Sequence, residues 1–407
     1  MRGLDKKVDS KTPTAFAPLV RALLTVGVSR RQVLKAALIG VGGLAAAARR
    51  LVQLNGPLLA QTSSTVPALQ SIQMMDALTG WAVTDQPDAN ALLLTPDGGI
   101  HWIDVTPLDS SGQRVSVNDV AVLSSLVAWV ISSEGLGPGP VFHTADGGQT
   151  WSFATAPPSL WSVHFIDAQD GWGLFGMGAL GSMEADMYRS TDAGATWIKV
   201  ASTTDGNEGS GLPFAGNKAG MTFLNTTRGW VTGAILTDDW MYLYMTDDGG
   251  YSWRQQTLSV PPQATPHWND WTMPPTFFTA RDGILPVFYA IRSEANTDIA
   301  PVIVVYVTHD GGTTWADTTP VPITLGNGFL TSFADVDHGW VTDGDALYVT
   351  ADGGSHWTMI PPTPPFTNVK QIDFVSPQVG WAVTPASLLK TKDGGLTWAP
   401  VVYTILQ

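Results

Sequence analysis

The chain has 407 residues, of which 44% are hydrophobic and only 14% charged, with 42 Gly, 28 Pro, 17 Trp and no cysteine. Few charges beside many Gly, Pro and Trp point away from helices, whose wet faces need Glu, Lys and Arg, and toward an all-β protein with tight turns; the missing cysteine excludes disulfides, thiolate metal sites and a cysteine nucleophile. Residues 1–60 hold ten Lys/Arg against two Asp/Glu, leaving 11 basic and 33 acidic residues, a net charge of −22, on 61–407, and so acidic a surface repels nucleic acid and anionic lipid headgroups alike.

The first element in the chain is an address. Ser29-Arg30-Arg31-Gln32-Val33-Leu34-Lys35 matches the twin-arginine pattern S-R-R-x-F-L-K, with Val33 in place of Phe, and an Ala- and Gly-rich apolar run follows from Ala36 to Ala48. Together they predict export through the twin-arginine route to the periplasm or the outside. An uncleaved anchoring helix is the alternative, but 13 residues fall short of the roughly 20 a membrane span needs. Cleavage after Ala60 or within Ala45–Ala48 would leave no stable span. Residues 1–60 are therefore expected to be the signal and a linker, and 61–407 the domain.

One octet then recurs seven times: Thr95–Trp102, Thr144–Trp151, Ser190–Trp197, Thr246–Trp253, Thr308–Trp315, Thr350–Trp357 and Thr391–Trp398, all fitting [ST]-x-D-x-G-x-x-W. Upstream of most octets stands a Gly-Trp pair opening a run such as WAVT: Gly80-Trp81, Gly171-Trp172, Gly229-Trp230, Gly339-Trp340 and Gly380-Trp381. The second unit has Ala128-Trp129, and the fifth is degenerate at Asp282-Gly283-Ile284-Leu285. Ahead of these lie alternating segments ending in an aromatic, such as Ile372-Asp373-Phe374. Period-2 alternation broken by Gly predicts four strands per unit. At about 50 residues per unit, the expected fold is a single seven-bladed β-propeller of four-stranded antiparallel blades, with one octet turn in each.

The octet's residue types suit a hairpin. Asp accepts turn N–H groups and Gly supplies positive φ. Asp97, Asp146, Asp192, Asp248, Asp310, Asp352 and Asp393 are thus expected to be turn clips, not catalysts. Trp102, Trp151, Trp197, Trp253, Trp315, Trp357 and Trp398 are expected to fill the wedges between blades, each indole N–H seeking a carbonyl. The units stay in phase from about Ile72, so the ring is expected to close by packing blade seven on blade one; an exchanged strand would need Thr62–Leu69 to pair with the last blade.

Successive octet aspartates lie 49, 46, 56, 62, 42 and 41 residues apart, which concentrates extra length in the fourth and fifth units. Loops on a rigid scaffold are the usual place for binding residues. The insert Pro261–Pro275 carries His267, Trp268, Asp270 and Trp271, and Trp240 lies upstream; these five are the candidate binding residues, able to stack a sugar or grip a peptide. A loop folded back on the propeller, with its Trp rings as a small core, is the structural alternative. Asp270, Glu208, Glu184 and Asp239 are available as glycosidase carboxylates in principle. The seven His lack metal spacing, and Asp335/Asp337 and Asp343/Asp345 lack further calcium ligands, so neither a metal nor a cofactor is expected.

The octets are the Asp-box, or BNR, signature, and residues 70–407 resemble the Asp-box propellers, which include sialidases, sortilin-type receptors, xyloglucan-degrading enzymes and photosystem II stability/assembly factors. The resemblance runs furthest with the assembly-factor type, in seven regular blades, in the pairing of GWAV with T-x-DGG-x-T-W, and in the export signal. It implies a non-catalytic scaffold binding a protein partner, such as a membrane-complex subunit under assembly. Cyanobacterial members look like lipoproteins, and here no cysteine can carry a lipid; none of that family's arginine patch is carried over, since six Arg remain after residue 60. The sialidase Arg-Ile-Pro motif is absent, the first Arg after the signal being Arg114. The alternative expectation is a secreted carbohydrate-binding or glycoside-hydrolase-like propeller using the inserts of blades four and five.

Overall fold

The computed structural model describes residues 67–86, 90–132, 138–158, 160–179, 182–204, 210–235, 241–292, 299–324, 329–366 and 368–406. Arg30, Arg31 and the rest of the export region lie outside these residues, as do Trp240, Glu208 and Asp239. Among the described residues no helix is long and apolar enough to cross a membrane.

The described residues fold as an all-β propeller of seven four-stranded antiparallel blades. Blade one is Leu69–Met74, Gly80–Thr84, Leu92–Thr95 and His101–Asp104; blade two Asp119–Val122, Ala128–Ile131, Pro138–Thr144 and Ser152–Pro158; blade three Leu160–Phe165, Gly171–Ala179, Ser182–Ser190 and Ile198–Ser202. Blade four is Asn217–Phe223, Gly229–Ile235, Leu243–Thr246 and Arg254–Gln255; blade five Thr276–Phe277, Gly283–Arg292, Ile299–Thr308 and Ala316–Asp317. Leu330–Phe333, Gly339–Thr342, Leu347–Thr350 and Thr358–Ile360 make blade six; Gln371–Phe374, Gly380–Val383, Leu388–Thr391 and Ala399–Val401 make blade seven. Each first strand pairs with its second, second with third, and third with fourth.

The Gly-Trp pair turns out to organise the contact between blades. In blade three, Phe165 at the end of the inner strand is opposite Gly171, and a Cβ on Gly171 would lie 2.3 Å from the Phe165 ring. Phe223 and Phe374 crowd Gly229 and Gly380 in the same way. Blade two has Val122 opposite Ala128, and the smaller partner accommodates the extra methyl. The Trp that follows is fully buried and stacks on the Phe of the next blade: Trp129 on Phe165 at 3.7 Å, Trp172 on Phe223 at 3.8 Å, Trp340 on Phe374 at 3.7 Å. The octet Trp meets that Phe edge-on, as in Phe165–Trp197 and Phe374–Trp398. The wedge is therefore shared, and the second-strand Trp supplies its centre.

These second-strand indoles also tie blade to blade. Nε1 of Trp129, Trp172 and Trp340 donates to the carbonyls of Ala193, Gly249 and Gly394 in the octet turn of the following blade. Trp81 donates to Ser124 of blade two, and Trp230 reaches blade five through Gln256, whose amide donates to Gly312. Of the octet indoles, Trp151 donates to Val105 of blade one, while Trp197, Trp253 and Trp398 bond a glycine carbonyl of their own turns. Nε1 of Trp102, Trp315 and Trp357 has no acceptor among the described residues.

Ring closure uses the C-terminal side of the chain. Blade seven does pack on blade one, with Gln371 bonding both the N–H and the carbonyl of Ile72. In addition Thr404–Leu406 runs parallel to His101–Ile103 and adds a fifth strand to blade one. Of Thr62–Leu69, residues 62–66 lie outside the described residues and Leu69 stays within blade one, opposite Thr84; the added strand comes from Thr404–Leu406, beyond the closure by packing that was expected.

Candidate functional site

Strand direction sorts the molecule into two faces. The turns between first and second strands share a face with the octet turns, and seven hydrogen bonds join them, one per blade, from Gly98 N–H to Leu78 in blade one through to Gly394 N–H to Gln378 in blade seven. The long inserts, which connect second to third strands or one blade to the next, lie on the opposite face.

On the octet face the aspartates hold their own turns. In blade four, Asp248 Oδ1 accepts the N–H groups of Tyr251 and Ser252, at 3.0 and 2.9 Å, and Oδ2 accepts the Ser252 hydroxyl. The Thr246 hydroxyl donates to Asp248 and accepts the Gly250 N–H. Asp146, Asp192, Asp310 and Asp393 repeat the pattern with Thr at the fourth position. His101 and His356 stand in for that Thr, their Nδ1 atoms 2.5 and 2.6 Å from Asp97 and Asp352. The His356 N–H and ring hold the Asp352 carboxyl down at about 2. At Asp310 burial pushes the other way, and the Thr314 N–H and hydroxyl outweigh it, again giving about 2. These charges are committed to backbone geometry.

The Pro261–Pro275 insert is not a loop. After a short 3₁₀ turn at Pro262–Ala264, His267–Thr272 forms a strand that pairs with Gly229–Ile235 of blade four and with Gly283–Arg292 of blade five, joining the two blades into one sheet. Asp270 is 5% exposed in this strand, and its Oδ2 lies 3.1 Å from His267 Nε2. The His267 ring packs edge-on against Tyr289, whose hydroxyl meets that of Tyr306 at 2.6 Å. Trp271 is half-buried against the core shared by blades five and six. The backbone of Trp268 lies in the same strand. The structure thus brings His267 and Asp270 together as a buried pair, and directs Trp271 into packing. Of the remaining carboxylates, Glu184 accepts the Thr204 hydroxyl on the insert face.

Nearby, Lys218 ties the blade three hairpin to the segment before blade four. It is 3% exposed, and its ammonium donates to the carbonyls of Met183, Pro213, Phe214 and Gly216. Burial lowers it to about 7. Among the described residues no group of three His, Cys, Asp or Glu is placed to hold a metal. Asp335 and Asp343 bond backbone N–H groups instead.

The octet face also carries a pattern that the repeat signature hides. One residue after each inner strand's end stands an apolar side chain: Met75, Leu123, Ile166, Leu224, Phe278, Ala334 and Val375 in blades one to seven, each half-buried. All seven donate their N–H to the carbonyl four residues on. The next residue is always Asp, Ser, Asn or Thr, and its side-chain oxygen accepts two N–H groups of the turn, as Asp76 does from Leu78 and Thr79 and Ser376 from Gln378 and Val379. The apolar residues of blades one to five line a central cavity of about 530 Å³. Gln73, His164, Thr222 and Thr276 line it deeper in. The arrangement is a cavity with an apolar lip, suited to holding apolar side chains. Aligning the units on Phe-x-[DSNT], which blades three to seven carry and which Met74 and Val122 replace in blades one and two, would have exposed it in the sequence.

No protein-family model matches the chain, and no curated protein does. Among solved structures it is similar to YCF48 bound to D1 peptide, at 18% identity over 81% of this chain and 94% of that one, with a TM-score of 0.52. It is similar as well to an ancestral GH74 enzyme, at 15% identity over 82% of this chain and 46% of that one, TM-score 0.50. An uncharacterized protein from Listeria monocytogenes EGD-e gives 8% identity, 84% and 95% coverage and a TM-score of 0.50. At these identities the likeness establishes the β-propeller fold.

Proposed function

We propose that this chain is an exported, non-catalytic propeller scaffold that binds a protein partner, a membrane-complex subunit under assembly being the partner class its Asp-box resemblance implies. The observation that carries the reading is the channel mouth: five half-buried apolar side chains, from blades one to five, line a cavity of about 530 Å³, on a ring whose blades are locked to one another by buried Trp. Partly exposed apolar side chains gathered around an opening are a feature of interaction sites. The likeness to YCF48, whose structure holds a D1 peptide, is in keeping with a propeller that presents such a surface. A carbohydrate-processing reading, for which a GH74 enzyme offers the fold parallel, would need carboxylates facing a groove. Burial of Asp270 against His267 works against it.

Affinity capture from membranes of the source organism, with the full tagged protein as bait, tests the reading. Enrichment of membrane-complex subunits is the expected result. A clean column would sink it, and binding and hydrolysis of polysaccharides would then be measured on the same protein.

A further inference from the structure

The apolar lip has an acidic rim. The turn residue that follows each lip residue is a carboxylate in blades one, three and six: Asp76, Asp167 and Asp335. Their Oδ1 atoms accept backbone N–H groups, which fixes the carboxylates in place and leaves their charge. Arginines on this face are engaged elsewhere, Arg189 with Asp170 and Arg228 with Asp247. Among the described residues no cation pairs with Asp76 or Asp167, and both are exposed. Fixed negative charges beside an apolar opening attract a cation and steer it to one place.

Resting on the protein-binding reading above, we infer that the octet-face mouth of the channel takes an extended, cationic segment of the partner, whose apolar side chains enter the bore past Leu123 and Phe278 while its Lys or Arg side chains meet Asp76 and Asp167. The occupant is polypeptide, since a domain carrying −22 repels phosphate-bearing ligands. The cavity has room for a few side chains and not for a folded domain.

Fluorescence anisotropy with the full chain and two labelled peptides of about a dozen residues, one alternating Leu with Lys and one Leu with Glu, provides the test. The Leu/Lys peptide should bind at least about tenfold more tightly. Asp76→Asn with Asp167→Asn keeps the turn-capping oxygens, removes two charges, and should weaken binding about threefold to tenfold. Leu123→Ala with Phe278→Ala should weaken it by at least about tenfold, with the melting curve recorded alongside; if that pair fails to fold, the Asn pair carries the test. Asp345→Asn, which removes one charge in the Asp343–Ala346 turn of the opposite face, should leave binding unchanged. Equal binding of the two peptides, an Asp345→Asn loss as large as the rim pair's, or full binding by the rim and folded lip variants would overturn the inference. In membrane capture, a partner held equally by rim and lip variants overturns this site alone, whereas no capture by any form overturns the protein-binding reading.

Discussion

Trp381 Nε1 donates a 3.1 Å hydrogen bond to the carbonyl of Gly98, 283 residues earlier in the chain. It joins the second strand of blade seven to the octet turn of blade one, and it is the same bond that Trp340 makes to Gly394 one blade before. The indole hydrogen bond that closes the ring is therefore the same as the one at an internal joint. Lys370 Nζ, 2.9 Å from Asp85, and Asp373, which accepts the Met74 N–H at 2.7 Å, reinforce it.

Trp381→Phe keeps the ring against its neighbours and strands the Gly98 carbonyl. The expected cost is about 1–3 kcal/mol, read as a lowered melting temperature. If blade joints are equivalent, Trp340→Phe should cost the same within about 0.5 kcal/mol, and a much cheaper Trp381→Phe would show that the ring is held shut by other contacts.

Gly171→Ala should destabilise by about 1–3 kcal/mol, because the new methyl runs into the Phe165 ring. Blade two shows the remedy in its Val122–Ala128 pair. In a Phe165→Val background the same Gly171→Ala change should cost clearly less, and chemical denaturation of the four members of this cycle measures the coupling. Additive costs would mean that glycine is kept here for another reason.

Asp248→Ala removes the acceptor for two turn N–H groups and should cost about 1 kcal/mol, with Asp248→Asn recovering much of it. Both variants should still bind the partner. Loss of binding at unchanged stability would assign the octet aspartate a role in recognition.

The clips also set the response to acid. The octet carboxyls lie below their ordinary value of 3.8, and Asp310 and Asp352 reach about 2. A carboxylate depressed in the folded state adds stability that is complete above its unfolded pKa and is lost as pH falls through the folded one. Thermal stability should thus be insensitive to these groups above about pH 5 and fall steeply between pH 4 and pH 2. The slope should be shallower in a variant carrying Asp310→Asn and Asp352→Asn.

Seven local octets made the fold readable from sequence, because each turn is specified by residues within eight positions of one another. What a residue touches across a blade boundary was less readable. Both kinds of Trp carry the same spacing information, and only the structure separates Trp172, stacked on the next blade's Phe223, from Trp253, which lies edge-on to the same ring. The lip residues were hidden because Met75, Ala334 and Phe278 share no identity, only polarity, and the turn clips after them use four residue types for one oxygen. His267–Thr272 resembled a loop because prolines flank it on both sides. Its strand character comes from filling the gap between the upper ends of blades four and five, a tertiary demand with no local signature.

The parallel pairing of Thr404–Leu406 with His101–Ile103 imposes an order on synthesis. Blade one's outer strand emerges from the ribosome roughly 300 residues before the segment that covers it. For all that time its free N–H and C=O groups are a template for any passing extended chain, and ribosome stalling or proteolysis near the end would leave that template permanently open. Removal of Thr404–Leu406 should accordingly raise aggregation above that of the intact chain, a liability set by chain order and not by the strength of the core.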